Sequence, residues 1–321
     1  VVPESETTPT REETMSTPRI VVPLDESSFA EYAVPMALTV AERMEGSLEL
    51  LSVYDDQPVV AGWPLSPDRV RDALRDYQQD VIRRIGEASS VTVEGRVRGG
   101  SPVAHTVAEA IADSAGTLVV MSTHGRGALS RSWFGSVADR VVRESPVPVI
   151  LVRPEDGEPR FDQRPTLNRI LIALDGSSRS TRGIPWATTL GGREDAAYTL
   201  VQAVPDPQIT SVYLPDAVAI RDRILRKGEE DARAWLEPLR AGMADEGYSV
   251  NVEVVVGGTA PTDLLRFAEK QQSDLIVVAT HGHSRLARFM LGSVADKLVR
   301  GAHCPVLVVR TGDVPGGTDD A

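Results

Sequence analysis

The sequence predicts an α/β protein built from two tandem five-stranded, mostly parallel sheets with helices on both faces. Three observations carry this. Short apolar runs alternate with helix-length amphipathic segments along the chain, the pattern of strand–helix–strand units feeding a parallel sheet. The pattern occurs twice: RIVVPLD at 19–25 returns as RILIALD at 169–175, 150 residues later. A glycine-punctuated stretch, STHGRGALSRSWFGSV at 122–137, returns as ATHGHSRLARFMLGSV at 279–294, 157 residues later. A repeat of about 150 residues is too long for a solenoid unit and reads as a duplicated domain.

Residues 1–17 are polar, rich in Pro, Thr and Glu, and predict a disordered tail. Met15, followed by Ser-Thr-Pro, reads as a plausible start, with 1–14 a leader or an extension. The first domain is expected over 18–153. Its first strand, 19–24, is an apolar run closed by Asp25. Ser27 and Ser28 suit the cap of a helix over 29–45 that stops at Gly46, and Pro35 should kink it. A strand over 48–54 precedes a Pro/Gly loop, 55–67. Pro67 opens a long helix to residue 88, with Val70, Leu74, Tyr77, Val81 and Ile85 at helical spacing. A third strand (91–97), a Gly99-Gly100-Ser101-Pro102 turn, a helix (103–114) and a fourth strand (117–121) follow. The glycine loop then leads to a helix (137–144) and a fifth strand (147–152) approached through Pro146 and Pro148.

Residues 154–166 (PEDGEPRFDQRPT) are charged and Pro-rich and read as a linker. The second domain is expected over 167–311. Its strands are placed at 169–174, 198–204, 250–256, 275–279 and 306–309. Pro185-Trp186-Ala187 matches Pro35-Met36-Ala37, and a helix over 216–246 should bend or break near Pro238. Residues 312–321 are a polar tail, expected to be disordered.

Composition limits the function. The 321 residues are 41% hydrophobic and 25% charged, as in globular proteins. The net charge of −12 argues against a nucleic-acid binder, which needs a basic face. No apolar run reaches the roughly 20 residues that span a bilayer. The single cysteine, Cys304, excludes an intrachain disulfide and fits a reducing compartment, so the cytoplasm is expected.

In sheets of this class, ligands sit beyond the carboxyl ends of the strands, where strand order reverses. Asp25 and Asp175 close the first strands; the glycine loops follow the fourth. Gly125 and Gly282 suit a positive φ or a close backbone approach. Gly135-Ser136 and Gly292-Ser293 stand at a helix start, where amides and the helix dipole favour an anion. Two readings stay open on these residues: a phosphate cradle, or a turn with a capping serine. The loop is not a Walker motif, because Ser136 and Ser293 stand where that motif has lysine. Efficient phosphoryl transfer therefore lacks its cation, although Arg126, Arg131, Arg285 and Arg288 could neutralise a polyphosphate. His124 and His281 could meet a ligand or make structural hydrogen bonds. His281-x-His283 has no third ligand, so no metal site formed by protein alone is expected. No nucleophile constellation is evident, and no catalytic residue is expected.

Each half resembles the universal stress protein family, in its tandem form. The resemblance rests on IVVPLDES and ILIALDGS, the THG turn, the nine-residue gap to GSVAD, and the closing PVPVILVR and CPVLVVR. It implies a Rossmann-like fold of the adenine nucleotide alpha hydrolase type. It also implies ATP bound by a G-x2-G-x9-G-[ST] loop. Carried onto this chain, Gly125, Gly135 and Ser136, with Val137, match the phosphate side; so do Gly282, Gly292, Ser293 and Val294. Pro23, Leu24 and Asp25, and Ala173, Leu174 and Asp175, match the first-strand end. Val53 and Ala203 match the position near the adenine. Met121, Ser122 and His124, and Val278, Ala279 and His281, match the fourth-strand end. Ser122 and Ala279 depart from the motif's first glycine, at the ribose end. Mg²⁺ would come with the nucleotide, near Asp25 and Asp175. The resemblance further implies pairing of the halves through their fifth strands, with a further homodimer and a protein partner open. It implies a stress-response regulator, with a nucleotide-free scaffold or a slow ATPase as alternatives.

Overall fold

The computed structural model describes residues 17–57, 59–60, 63–64, 66–113, 116–123, 135–154, 157–207, 216–281 and 291–311. The tails 1–16 and 312–321 and both glycine loops, 124–134 and 282–290, lie outside the described residues.

The first half runs β1 (Arg19–Pro23), α1 (Ser28–Glu31), α2 (Ala33–Met44), β2 (Ser47–Tyr54), a short hairpin of β3 (Val59–Val60) and β4 (Trp63–Pro64), α3 (Pro67–Ala88), β5 (Val93–Gly99), α4 (Val103–Asp113), β6 (Leu118–Ser122), α5 (Ser136–Glu144) and β7 (Val149–Val152). The second runs β8 (Arg169–Leu174), a 3₁₀ turn (Ser180–Arg182), α6 (Gly183–Gly191), β9 (Ala197–Val204), α7 (Ala217–Asp245), β10 (Ser249–Val256), α8 (Ala260–Lys270), β11 (Leu275–His281), α9 (Ser293–Gly301) and β12 (Val306–Thr311).

Each half is a parallel five-stranded sheet, ordered β5-β2-β1-β6-β7 and β10-β9-β8-β11-β12. The halves join edge to edge. β7 and β12 pair antiparallel, with Leu307 opposite Ile150 and Val308 opposite Val149. The result is one ten-stranded sheet, an internal pseudo-dimer in which each fifth strand covers the other's exposed edge. Central strands are buried on both faces, so their sequences are continuously apolar: Ile20, Val21 and Val22 are all fully buried. One apolar cluster lies beneath α2, α3, α6 and α7 and crosses the seam. The other lies beneath α4, α5, α8 and α9. On the first face Arg43 of α2 also reaches Asp195 of the other half at 2.8 Å.

Two helices differ from expectation. The helix placed at 29–45 is two helices, broken at Tyr32 rather than kinked at Pro35. Pro35 lacks an N–H, and its ring crowds the carbonyl four residues back, that of Glu31, so the break falls upstream. Conversely α7 runs unbroken through Pro238. Ala232, Leu236 and Met243 bury its inner face, and tertiary packing outweighs one lost backbone bond.

The segment joining the halves is packed rather than loose. Phe161 and Leu167 are buried. Tyr32 donates to the Gly157 carbonyl at 2.8 Å, Thr39 to that of Pro165 at 3.2 Å, and Arg164 to that of Ala88 at 3.0 Å. Arg84 lies over the Phe161 ring, 4.4 Å from its centroid.

Candidate functional site

β1 lies between β2 and β6, and β8 between β9 and β11. The helix following β1 covers one face and the helix following β6 the other. Strand order therefore reverses between β1 and β6, opening a crevice at their carboxyl ends. The first crevice gathers buried Pro23 and Leu24, half-buried Asp25 and Val53, buried Met121 and Ser122, and then Gly135, Ser136 and Val137 at the start of α5. The second gathers Ala173, Leu174, Asp175, Ala203, Val278 and Ala279, with Gly292, Ser293 and Val294 at the start of α9. His281 ends β11, while His124, Gly125 and Gly282 lie outside the described residues.

Hydrogen bonds hold the first loop's two ends together. Thr123 donates its amide to the Val152 carbonyl, and the Gly135 amide donates to the Thr123 carbonyl, both at 2.9 Å. Gly135 is thus the N-cap of α5, and Ser136 is its first helical residue, not its cap. Gly292 and Ser293 hold the same places on α9. The Gly135 amide is engaged by Thr123, so an anion would meet the first-turn amides of Ser136 and its successors, which have no acceptor within the helix. The exposed hydroxyls of Ser136 and Ser293 stand beside them.

The two glycines are not required by backbone conformation. Gly135 has φ −62° and ψ 142°, and Gly292 has φ −56° and ψ 146°, values open to any L-residue. A Cβ on Gly292 would meet no atom within 4 Å. The missing side chain leaves open space in front of a helix N-terminus.

Asp25 and Asp175 are held alike. Ser27 Oγ donates to Asp25 Oδ1 at 2.5 Å and accepts from the Ala30 amide at 3.1 Å. Ser177 Oγ donates to Asp175 Oδ1 at 2.6 Å and accepts from the Ser180 amide at 3.3 Å. Each carboxylate thereby fixes the serine that caps the next helical turn. The walls are apolar: Val53, Met121 and Val137 belong to one hydrophobic cluster, as do Ala203, Val278 and Val294.

Matching the halves left some neighbours unread. Glu26 takes a left-handed φ of 63° where the second half has Gly176 at 84°. Aligning the two Asp-x-Ser-Ser stretches exposes that difference. Below Asp25, the buried Glu31 carboxylate accepts from Tyr77 at 2.9 Å and pairs with Arg84 at 2.8 Å. Burial and the nearby charges of Glu31 and Asp25 push the Tyr77 phenol far above its ordinary range. Among the described residues no group of three or more His, Cys, Asp or Glu is placed to hold a metal. Cys304 is half-buried, and burial pushes its thiol up to about 12. No described helix is long and apolar enough to cross a membrane.

Comparison with known proteins gives the family. The model of the universal stress protein family matches residues 17–153 and again 166–310. A universal stress protein of Mycolicibacterium smegmatis is 27% identical over 305 residues, covering 91% of this chain and 96% of the relative. One of Mycobacterium tuberculosis is 26% identical over 310 residues, covering 92% of this chain and 99% of the relative. The crystal structure of a universal stress protein from Archaeoglobus fulgidus superposes with a TM-score of 0.64 at 17% identity, covering 92% of this chain and 98% of that one. With its model matched twice and relatives spanning both halves, the chain belongs to the universal stress protein family, as a tandem two-domain member.

Proposed function

We propose that this protein is a cytoplasmic stress-response regulator that holds an adenine nucleotide, ATP first, in one or both crevices. The observation that carries this is the pair Gly135 and Gly292. The fold's backbone demands glycine at neither, and at Gly292 a side chain would fill only open space. A residue kept small for reasons outside the chain's own packing suits close approach by a ligand. That ligand would be anionic at the helix N-termini and apolar against Val53, Met121 and Val137, or Ala203, Val278 and Val294. A nucleotide combines both. Any Mg²⁺ would arrive with the phosphates near Asp25 and Asp175. Ser136 and Ser293 stand where a Walker motif has its lysine, which favours holding over turnover, and occupancy would act by favouring the state that binds.

A second reading has its own support. Asp25 and Asp175 already cap turns through Ser27 and Ser177, and Ser122 and Ala279 replace the motif's first glycine. These features suit a nucleotide-free scaffold for a protein partner. Denaturing the purified protein and identifying released nucleotide by mass separates the two. Released adenylate, or ATP binding lost in Gly135→Val/Gly292→Val, supports the first. No binding at millimolar ATP with Mg²⁺ supports the second. ATP turnover above that of the double variant would make the protein a slow ATPase.

A further inference from the structure

The ten-stranded sheet ends in β5 on one side and β10 on the other, and the two ends differ. β5 (VEGRVRG) carries Glu94, Arg96 and Arg98 and is interrupted by Gly95 and Gly99, residues that blunt a sheet edge. β10 (SVNVEVVV) has valine at 250, 252, 254, 255 and 256, with Glu253 its single charge. Such a sequence suits a strand paired on both sides. The Gly257 amide donates to the Val204 carbonyl at 3.1 Å, in the parallel register that sets Val256 beside Val204. Backbone groups alternate in direction along a strand, so Val250, Val252, Val254 and Val256 turn theirs away from β9. Among the described residues none pairs with that outer edge. Val256, at its end, is 40% exposed.

α7 packs on β9 and β10 and, joining two parallel strands, runs back against them. Its charge is split along its length. Residues 217–228 carry Arg221, Arg223, Arg226 and Lys227 against Asp222; residues 229–245 carry Glu229, Glu230, Asp231, Glu237 and Asp245 against Arg233 and Arg240. We propose that β10 is a self-association edge: two copies of this chain pair β10 antiparallel to β10 about a two-fold axis and continue the sheet from one molecule into the next. The axis sets the two α7 helices side by side in opposite senses, basic half towards acidic half, which a parallel arrangement would not do. Of the registers that match outward-facing residues, one opposes Glu253 to Glu253. Those centred on Val252 or Val254 set Glu253 opposite Asn251 or Val255 instead. The fold already joins two edges in this way where β7 meets β12. A strand of eight residues spans about 26 Å. With a helix layer on each face, the contact would cover on the order of 800 Å² per copy, the size of a stable interface. The blunted β5 edge stops the assembly at two copies.

Sedimentation equilibrium of the full chain reads this directly. The expected result is a reversible, concentration-dependent mass of twice that of the chain. As the dimer forms, hydrogen exchange at the amides of Val250, Val252 and Val254 should slow by about tenfold or more. Amides of β9, already paired on both sides, should not change. Asn251→Lys with Val256→Lys places two cations on the exposed edge and should leave a folded monomer, with thermal melting as the check on folding. Val252→Pro removes an outward N–H and should do the same; should the proline cost the fold, the lysine pair still decides. Arg223→Glu with Arg226→Glu, both exposed on α7, should weaken association about tenfold, each change counting twice across the axis. A monomer at every concentration would overturn the inference and leave the edge to a strand of another protein. A mass beyond two copies, or a dimer whose mass and exchange are indifferent to all three variants, would overturn it as well. The nucleotide reading stands or falls separately, since it uses neither β10 nor α7.

Discussion

Arg84 Nη1 lies 2.8 Å from Glu31 Oε2, and the same guanidinium covers the Phe161 ring. One cation thus neutralises a buried carboxylate of the first domain and anchors the segment leading to the second. Removing it leaves Glu31, whose side chain is 8% exposed, charged and without that cation. Arg84→Met should lower stability by about 3 kcal/mol, because an uncompensated buried charge costs more than the intact pair contributes. Glu31→Gln on top should recover part of the loss. Urea denaturation of the single and double variants checks both. Additive losses would mean that the pair is not coupled.

Cys304 gives the pH dependence. Burial holds its thiol protonated up to about 12 in the folded protein, against an ordinary value of 9.0. The folded state therefore binds a proton that the unfolded chain releases first. This contribution is fully present below about pH 9 and is lost as pH rises toward 12. Cys304→Ala should flatten the stability curve over that window. At pH 8 the folded thiol should react with an alkylating reagent about 10²–10³-fold more slowly than in urea, because the thiolate is the nucleophile. Comparable rates in the two conditions would show an accessible, ordinary thiol.

Much of the fold was legible because burial on both faces writes strands as apolar runs, and because the chain states them twice. Pro67 and the spacing of Leu74, Val81 and Ile85 fixed α3 end to end, and all three prove buried. What stayed hidden depends on tertiary contacts. A proline's effect lands four residues upstream, so the break at Tyr32 could not be read at Pro35. Pro238 sits inside an intact α7 because packing against β9 and β10 holds the helix there. Phe161 is one aromatic in a charged, Pro-rich stretch, without a period to mark it as an anchor. At the crevices, reading by likeness named Asp25, Asp175 and the Gly-Ser pairs, and the fold sets them at strand ends and helix starts. The same habit passed over Glu26, whose left-handed backbone stands where the second half has Gly176.

The seam between the halves predicts the behaviour of each half alone. β7 is paired on one side by β6 and on the other by β12 of the second half. A fragment ending at residue 153 would expose that edge, including Ile150, which is fully buried in the whole protein. It should form a homodimer through β7, with antiparallel pairing replacing β12. Ile150→Lys should make the fragment monomeric. Sedimentation equilibrium reads the mass directly. A monomer carrying the native Ile150 would show that β12 supplies something that a second β7 cannot.

Gly292 separates stability from binding. Its φ of −56° is helix-compatible, and a new Cβ would meet nothing within 4 Å. Gly292→Ala meets no steric cost and removes about 0.4–1 kcal/mol of unfolded-chain entropy, while Ala is a poorer N-cap than Gly by a similar amount, so the two effects offset and the melting temperature should change little. If the space is kept for a phosphate, the same substitution should weaken nucleotide binding at the second crevice, and Gly292→Val should weaken it further. Gly135→Ala makes the matching test at the first crevice, since φ −62° is equally permissive. Stability held while affinity falls is the signature of a glycine retained for a ligand. A clear fall in stability together with affinity would mean that Gly292 acts as the N-cap of α9 and not as a space kept for a ligand. Neither changing would place the phosphate elsewhere.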